Sequence, residues 1–258
     1  MLPVYVGIDL ACAKNKRLPI CLVSGEERLV PLQIPTNIRD LLPRGLGNRE
    51  IASENPFHVS AERVVCALKQ LEHEKGWRIE RIAIDAPAAP PISGSRLCEL
   101  ELFKKGLSVF KTPIESDWTT IRNQCVEHLN MCRSESTLPF ANKIWMAYGF
   151  KLFSGLRASF CCEVIEVYPY AIVRRLLSDV EHKSARTGYA NQLAVIAHHT
   201  RWDKPDELAR RLQEVVPGVK PHDRLDAFMA AWIATLPAHG RRAYGDPQDA
   251  NDSIWIPH

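Results

Sequence analysis

Apolar and polar positions divide the chain into a strand-rich first part and a helix-rich second part. VYVGIDL (Val4–Leu10) is almost continuously apolar, the pattern of a strand covered on both faces. LPICLV (18–23) and RLVPLQI (28–34) follow at hairpin spacing, with Ser24, Gly25 and Glu26 as the turn, so the chain opens with an antiparallel meander. Pro31 cannot donate to a ladder and marks the third strand as an edge or a bulge. Residues 35–58 are rich in Pro, Gly, Asn and charge and read as a crossing loop. From Ala61 the period becomes helical, with Val64, Val65, Leu68 and Leu71 on one face and Gly76 just past the end. RIAIDAP (81–87) is a fourth strand stopped by Pro87, and a crossover of this length makes it parallel to a strand already present.

Beyond a Pro-rich loop, SRLCELELFKKG (95–106) reads as a helix. Residues 112–160 read as a mostly helical insertion, with one helix near Lys143–Leu156. CCEVIEVYP (161–169) is the fifth strand. Helices are expected over 171–178, 190–199 and 206–215, and LDAFMAAWIATL (225–236) is apolar nearly all round and therefore buried. The tail, 243–258, ends in an apolar IWIP that should dock back on the body. The expectation is an α/β fold with five strands in a mixed sheet flanked by helices, as a single domain over 1–258.

Composition narrows this picture. With 46% hydrophobic residues and a net charge of +3, the 258-residue chain can fill a core without disulfides or a structural metal. It is also too near neutral to be a nucleic-acid coat, so any nucleic-acid contact is local. Lys14, Lys16 and Arg17 form the basic cluster best placed for such a contact; Arg174–Arg175, Arg210–Arg211 and Arg241–Arg242 read as solvated faces. None of the 8 cysteines forms a Cys-x-x-Cys pair, which suits reduced core thiols. Neither a leader peptide nor a membrane-length apolar run is visible, so a cytoplasmic protein without membrane contact is expected.

The carboxylates carry the chemistry. Asp9 and Asp85 end the first and fourth strands in apolar surroundings, a costly place for charge unless it is paired or bound to a cation. Glu166 is near the end of the fifth strand, and Asp223 and Asp226 share one face at the start of the last helix. Strands that share a direction bring their ends to one edge of the sheet. Converging carboxylates repel one another, and hard oxygen donors suit Mg²⁺ or Mn²⁺, one or two ions. Simpler roles compete: Asp9 bonding its own loop, Asp85 in an Asx turn, Glu166 paired with Arg174 or Arg175, Asp223 as a helix N-cap. Capping cannot account for Asp226, one turn inside an apolar helix.

GIDLA (7–11), AIDAP (83–87), SRLCELEL (95–102), EVYP (166–169), HDRLDAFMAAW (222–232) and the closing IWIP resemble the motifs of the DUF429 family of predicted ribonuclease-H-like nucleases. The Asp-x-x-Asp of the last helix is also similar to that of Holliday-junction resolvases. The resemblance implies a ribonuclease H-like fold and metal-dependent hydrolysis of phosphodiester bonds in RNA or DNA. Asp9 would be the central ligand, Asp85 and Glu166 ligands or positioners of water, and Asp223 and Asp226 would complete the catalytic, metal-holding cluster. Arg96 would meet a substrate phosphate, an ion pair with Glu99 or Glu101 being the rival, and Lys14 would do the same from the loop after Asp9. Two further readings stand beside this one: a non-catalytic binding or scaffolding protein on the same fold, and a hydrolase of a small phosphorylated substrate. An ATP-using enzyme of the actin and sugar-kinase kind would need glycine-rich phosphate turns, which 13 glycines and Ser24-Gly25-Glu26 do not supply.

Overall fold

The computed structural model describes residues 1–10, 13–25, 27–45, 47, 55–107, 109–177 and 185–258. Ala11, Glu26 of the first turn, residues 48–54 of the crossing loop and Ser178 lie outside them. In chain order come β1 (Leu2–Asp9), β2 (Ile20–Ser24), β3 (Val30–Leu32), α1 (Thr36–Arg39), α2 (Asn55–Lys75), β4 (Trp77–Asp85), α3 (Leu97–Lys104), α4 (Asp117–Asn130), α5 (Ala141–Ile144), α6 (Met146–Ser159) and β5 (Glu163–Val167). There follow α7 (Pro169–Leu176), α8 (Arg186–His199), α9 (Pro205–Val215), α10 (Pro221–Thr235), β6 (Arg241–Gly245) and β7 (Ser253–Pro257).

The sheet has seven strands in the order β3-β2-β1-β4-β5-β7-β6, not the five expected. β1, β4, β5 and β7 are mutually parallel; β2 and β6 run antiparallel to their neighbours. The two extra strands are a hairpin from the tail. Ile254 and Ile256 are buried at 2% and 0% exposure beside β5, whose edge would otherwise be open. β6 begins RRAYG, too polar to read as a strand. It exists because β7 pairs with it and because Arg241 lies 4.4 Å from the Trp255 ring while donating to Glu163 at 2.7 Å. Asp252 ties the hairpin to α3, accepting from the Leu97 and Cys98 backbone nitrogens at 2.8 and 2.9 Å.

Other boundaries shift for local reasons. α2 begins at Asn55, inside the stretch read as loop, and Pro56 is acceptable in a first helical turn. The insertion is helical as expected, but the helix near Lys143 is two, α5 and α6, meeting at Trp145. β3, with Pro31, is the sheet edge, and Arg211 of α9 covers it by donating to the Pro31 carbonyl at 3.0 Å.

Two apolar layers sandwich the sheet. Val4, Val6, Ile8, Ile82 and Ile84 pack against α2, α4 and α6 on one face. Cys21, Val23, Ala83, Ile165 and Val167 pack against α7 to α10 on the other. Among the described residues no helix is long and apolar enough to cross a membrane.

Candidate functional site

Asp9 and Asp85 are in-register neighbours at the carboxyl ends of parallel strands β1 and β4, and both are half-buried. Side chains facing each other across adjacent strands share a face of the sheet. Gly7 and Ala83, two residues before each, place this face on the α10 side. A Cβ on Gly7 would lie 2.1 Å from the Ala227 carbonyl oxygen and 2.2 Å from the Ala231 nitrogen, so glycine is what lets α10 rest directly on β1. Arg81, toward the start of β4, donates to the Ala234 and Leu236 carbonyls at 2.5 and 3.2 Å. The helix therefore runs antiparallel to β1 and β4, and its first turn comes over the ends that carry the two aspartates.

That turn holds Asp223 and the next one Asp226, at 6% and 2% exposure. Lys220 occupies the N-cap position and Pro221 the first turn, so Asp223 is inside the helix and is not its cap. A negative charge there is favoured by the helix dipole. Asp223 Oδ2 is buried without a hydrogen bond, and its charged neighbour is Lys16 Nζ at 3.0 Å; His222 Nε2 is 3.4 Å from Oδ1. Lys16 belongs to a loop zipped to residues 44–45: Gly45 N donates to the Lys16 carbonyl at 2.7 Å and Asn15 N to the Gly45 carbonyl at 2.8 Å. Asn15 adopts a left-handed φ of 60°, which lets the loop fold back. Lys14 and Arg44 are exposed on this rim and Arg17 is partly so.

Glu166 belongs elsewhere. Its register partner on β4 is Ile84, one residue before Asp85, and its strand neighbours Ile165 and Val167 are the ones that pack on the α10 face. Alternation therefore turns Glu166 to the opposite side of the sheet from Asp9 and Asp85. There it pairs with Arg96, whose Nη1 and Nη2 reach its two oxygens at 3.0 and 2.5 Å, and it accepts from Ala88 N at 2.9 Å. The arginine that sequence reasoning offered for this glutamate, Arg174 or Arg175, is replaced by Arg96. Arg96 itself is 2% exposed and turned inward, away from any phosphate in solvent. Its Nη1 is 3.7 Å from Glu99 and its Nε donates to the Asn251 carbonyl at 3.1 Å, whereas Glu101 is bonded to Gly245 N at 2.8 Å. Glu99 in turn accepts from Thr112, through both backbone nitrogen and hydroxyl.

Burial pushes the Glu166 carboxyl above its ordinary value, and the bidentate guanidinium works against that push. Burial disfavours the Arg96 charge as well, but Glu166 more than restores it, so its pKa rises. The fork geometry is that of a charged pair. Lys16 and Glu99 were not singled out from sequence; Lys16 carried a signal as part of the first basic cluster, and Glu99 only as a partner for Arg96.

The strand ends thus set Asp9 beside Asp85, α10 carries Asp223 and Asp226 at its start, and Glu166 and Arg96 form a separate buried pair. Among the described residues no three His, Cys, Asp or Glu side chains converge closely enough to share a metal ion. Two half-buried carboxylates side by side on adjacent strand ends are a donor set that fits a hard divalent ion of the magnesium type, which uses one or two carboxylates and keeps several of its waters.

Residues 32–249 match the family described as "Protein of unknown function (DUF429)", and the chain belongs to that family. No curated protein and no solved structure matches the chain.

Proposed function

We propose that this DUF429 protein hydrolyses phosphodiester bonds of RNA or DNA, using a divalent ion held by Asp9 and Asp85 at the carboxyl edge of a ribonuclease-H-like sheet. The observation that carries the reading is the in-register placement of these two aspartates on adjacent parallel strands, under the acidic first turn of α10. The order β3-β2-β1-β4-β5, a mixed sheet flanked by helices, supports the fold part of the proposal.

The roles divide by geometry. Asp9 and Asp85 supply hard oxygen donors. Such an ion, when bound, offsets negative charge on the phosphoryl oxygens and makes water easier to deprotonate. Asp223 is held by Lys16 at 3.0 Å, so that lysine supplies a fixed positive charge where a second ion would otherwise be needed. Asp226, buried at 2% exposure, fixes the helix turn against the sheet. Lys14, Arg17 and Arg44 on the rim meet phosphates from solvent. The Arg96–Glu166 pair is a positioning element: through Ala88 N it holds the chain just beyond Asp85.

Calorimetric titration with Mn²⁺ tests this reading. Folded wild type should bind about one ion, and Asp9→Asn should lose most of that affinity. Cleavage would then be screened on single-stranded, duplex and branched substrates. Absence of binding at millimolar Mn²⁺ by folded wild type would overturn the proposal and favour a non-catalytic binding protein.

A further inference from the structure

Beyond β2 and β3 a cavity of about 50 Å³ lies between the chain that enters β2, helix α1 and the turn that precedes α10. Ile20, in its floor, pairs with Ile8, one residue before Asp9, so the cavity opens at the same edge of the sheet as the two strand-end aspartates. Among the described residues its charged lining is Arg17, Arg39, Arg44 and Asp40. The floor is apolar: Ile20, Ile34 and Val216 are 2%, 4% and 5% exposed.

These arginines are poorly answered by the protein itself. Arg17 and Arg44 are antiparallel bridge partners, and residues opposite each other in such a bridge turn their side chains to one side, where like charges repel. Arg17 Nη2 is 3.9 Å from Asp40, the outer limit of an ion pair, and the Asp40 side chain is 60% exposed. Arg44 Nη1 donates to the Asn15 carbonyl at a long 3.4 Å. Arg39 donates from Nη2 to the Thr36 hydroxyl at 3.1 Å, while its Nε is buried without a hydrogen bond. Each guanidinium carries five N–H donors and no acceptor, so donors are left over, and an enclosed one without a partner is costly. What enters must therefore be an anion rich in acceptors.

Charge and size narrow the anion further. Three arginines against one aspartate leave two positive charges. That matches a phosphate monoester, at about −1.5 to −2 near neutral pH, better than a singly charged phosphodiester. The volume is about a third of the ~150 Å³ cavity that accommodates benzene, so a phosphate group fits and a base does not. An apolar floor strengthens each charge-assisted hydrogen bond made above it. We infer that this cavity receives a phosphate monoester, the terminal phosphate of an RNA or DNA strand that continues along the sheet edge toward Asp9 and Asp85. This rests on the phosphodiesterase reading and names its substrate class: a strand that is held by a phosphorylated end.

The test is fluorescence anisotropy with the full chain in EDTA, where no cleavage occurs. The probes are short labelled oligothymidylates carrying a 5′-phosphate, a 3′-phosphate or hydroxyls at both ends. A phosphorylated oligomer should bind about tenfold more tightly than the hydroxyl-ended one, the scale of one charge-assisted hydrogen bond, and inorganic phosphate should abolish the difference. Arg39→Gln should remove the preference and the exposed Arg44→Gln should weaken it about threefold, each variant being checked for its fold by circular dichroism. Arg210→Gln, an exposed arginine outside the cavity, should leave it intact. Equal binding of all three oligomers, or a preference unchanged in both Arg39→Gln and Arg44→Gln, would overturn the inference. Thymidine monophosphate competing as well as the phosphorylated oligomer would overturn the strand end as the source of the phosphate. Mn²⁺ calorimetry separates this from the preceding proposal. Absence of Mn²⁺ binding with the phosphate preference intact sinks the metal reading alone, and the reverse pattern sinks the phosphate site alone.

Discussion

Asp9 and Asp85 are half-buried at their strand ends and the nearby helix turn pairs Asp223 with Lys16, whereas around Arg96 the charged atoms are enclosed and bonded to one another. Both clusters occupy the carboxyl edge of the same sheet, one strand apart, and differ in how their charge is compensated. Arg96 answers Glu166 with a two-point fork and Glu99 from the same guanidinium, and backbone nitrogens fill the remaining oxygens. At Asp223 a flexible ammonium faces an oxygen that has no hydrogen bond. A charge fully answered by its own protein is an element of structure. The metal proposal is placed at Asp9 and Asp85 and not at Glu166 because those two aspartates are in-register neighbours on adjacent strand ends and are half-buried, whereas Glu166 is enclosed with Arg96 on the other side of the sheet.

Removing Arg96 should have the largest effect. Arg96→Met leaves two buried carboxylates facing each other, and a loss of about 3–5 kcal/mol in urea unfolding is expected. Asp9→Asn, at a half-buried position, should stay within about 1 kcal/mol of wild type in the same experiment. Equal losses in the two variants would erase the distinction between the clusters.

Gly7→Ala should come next. Its Cβ would meet the Ala227 carbonyl at 2.1 Å, so α10 must lift from β1. A destabilisation of about 3 kcal/mol is expected, together with weaker Mn²⁺ binding, because Asp223 and Asp226 move with the helix.

A third contrast lies within β5. Glu163, half-exposed and held by Arg241 and Arg81 against its partial burial, titrates below its ordinary 4.5, whereas burial carries Glu166 above it. A depressed pKa contributes stability above 4.5 that is lost as pH falls through the folded value. A raised pKa contributes stability that is complete below the ordinary value and is lost as pH rises through the folded one. Glu163→Gln should therefore flatten the acid side of the stability profile, by under about 1 kcal/mol after solvent screening. Glu166→Gln should instead remove a decline that begins above pH 4.5. Chemical unfolding across pH would detect the reversed signs, and the same sign in both variants would contradict them.

A small effect, on ion affinity alone, is expected at Lys16. Lys16→Met removes the positive charge 3.0 Å from Asp223, so Mn²⁺ should bind roughly fivefold more tightly, corresponding to about 1 kcal/mol for a partly exposed pair. Unchanged Mn²⁺ affinity in calorimetry would mean that Lys16 does not compete with an ion.

Much of this molecule was legible in the amino-acid order alone. Continuous apolar runs ending in Asp9 and Asp85 located two central strands and their ends, and the apolar run after Asp223 located a helix that is buried along its length. These are local properties: a run of buried residues, a turn residue or a capping position acts within a few residues of itself. Glu166 shows where such reasoning stops. In EVIEV the residues after the first are all buried, so there is no alternation from which to read which side each one faces. The register with β4 settled that, and it set Glu166 against Arg96, seventy residues earlier in the chain. The same holds for β6, a polar segment made into a strand by pairing with β7, and for Lys16, given a partner by the helix that Gly7 admits. Local pattern determined which residues form elements and where the aspartates end them. Tertiary structure alone decided which charges meet, because a partner across the sheet is chosen by register and packing, and neither is written in the neighbouring residues.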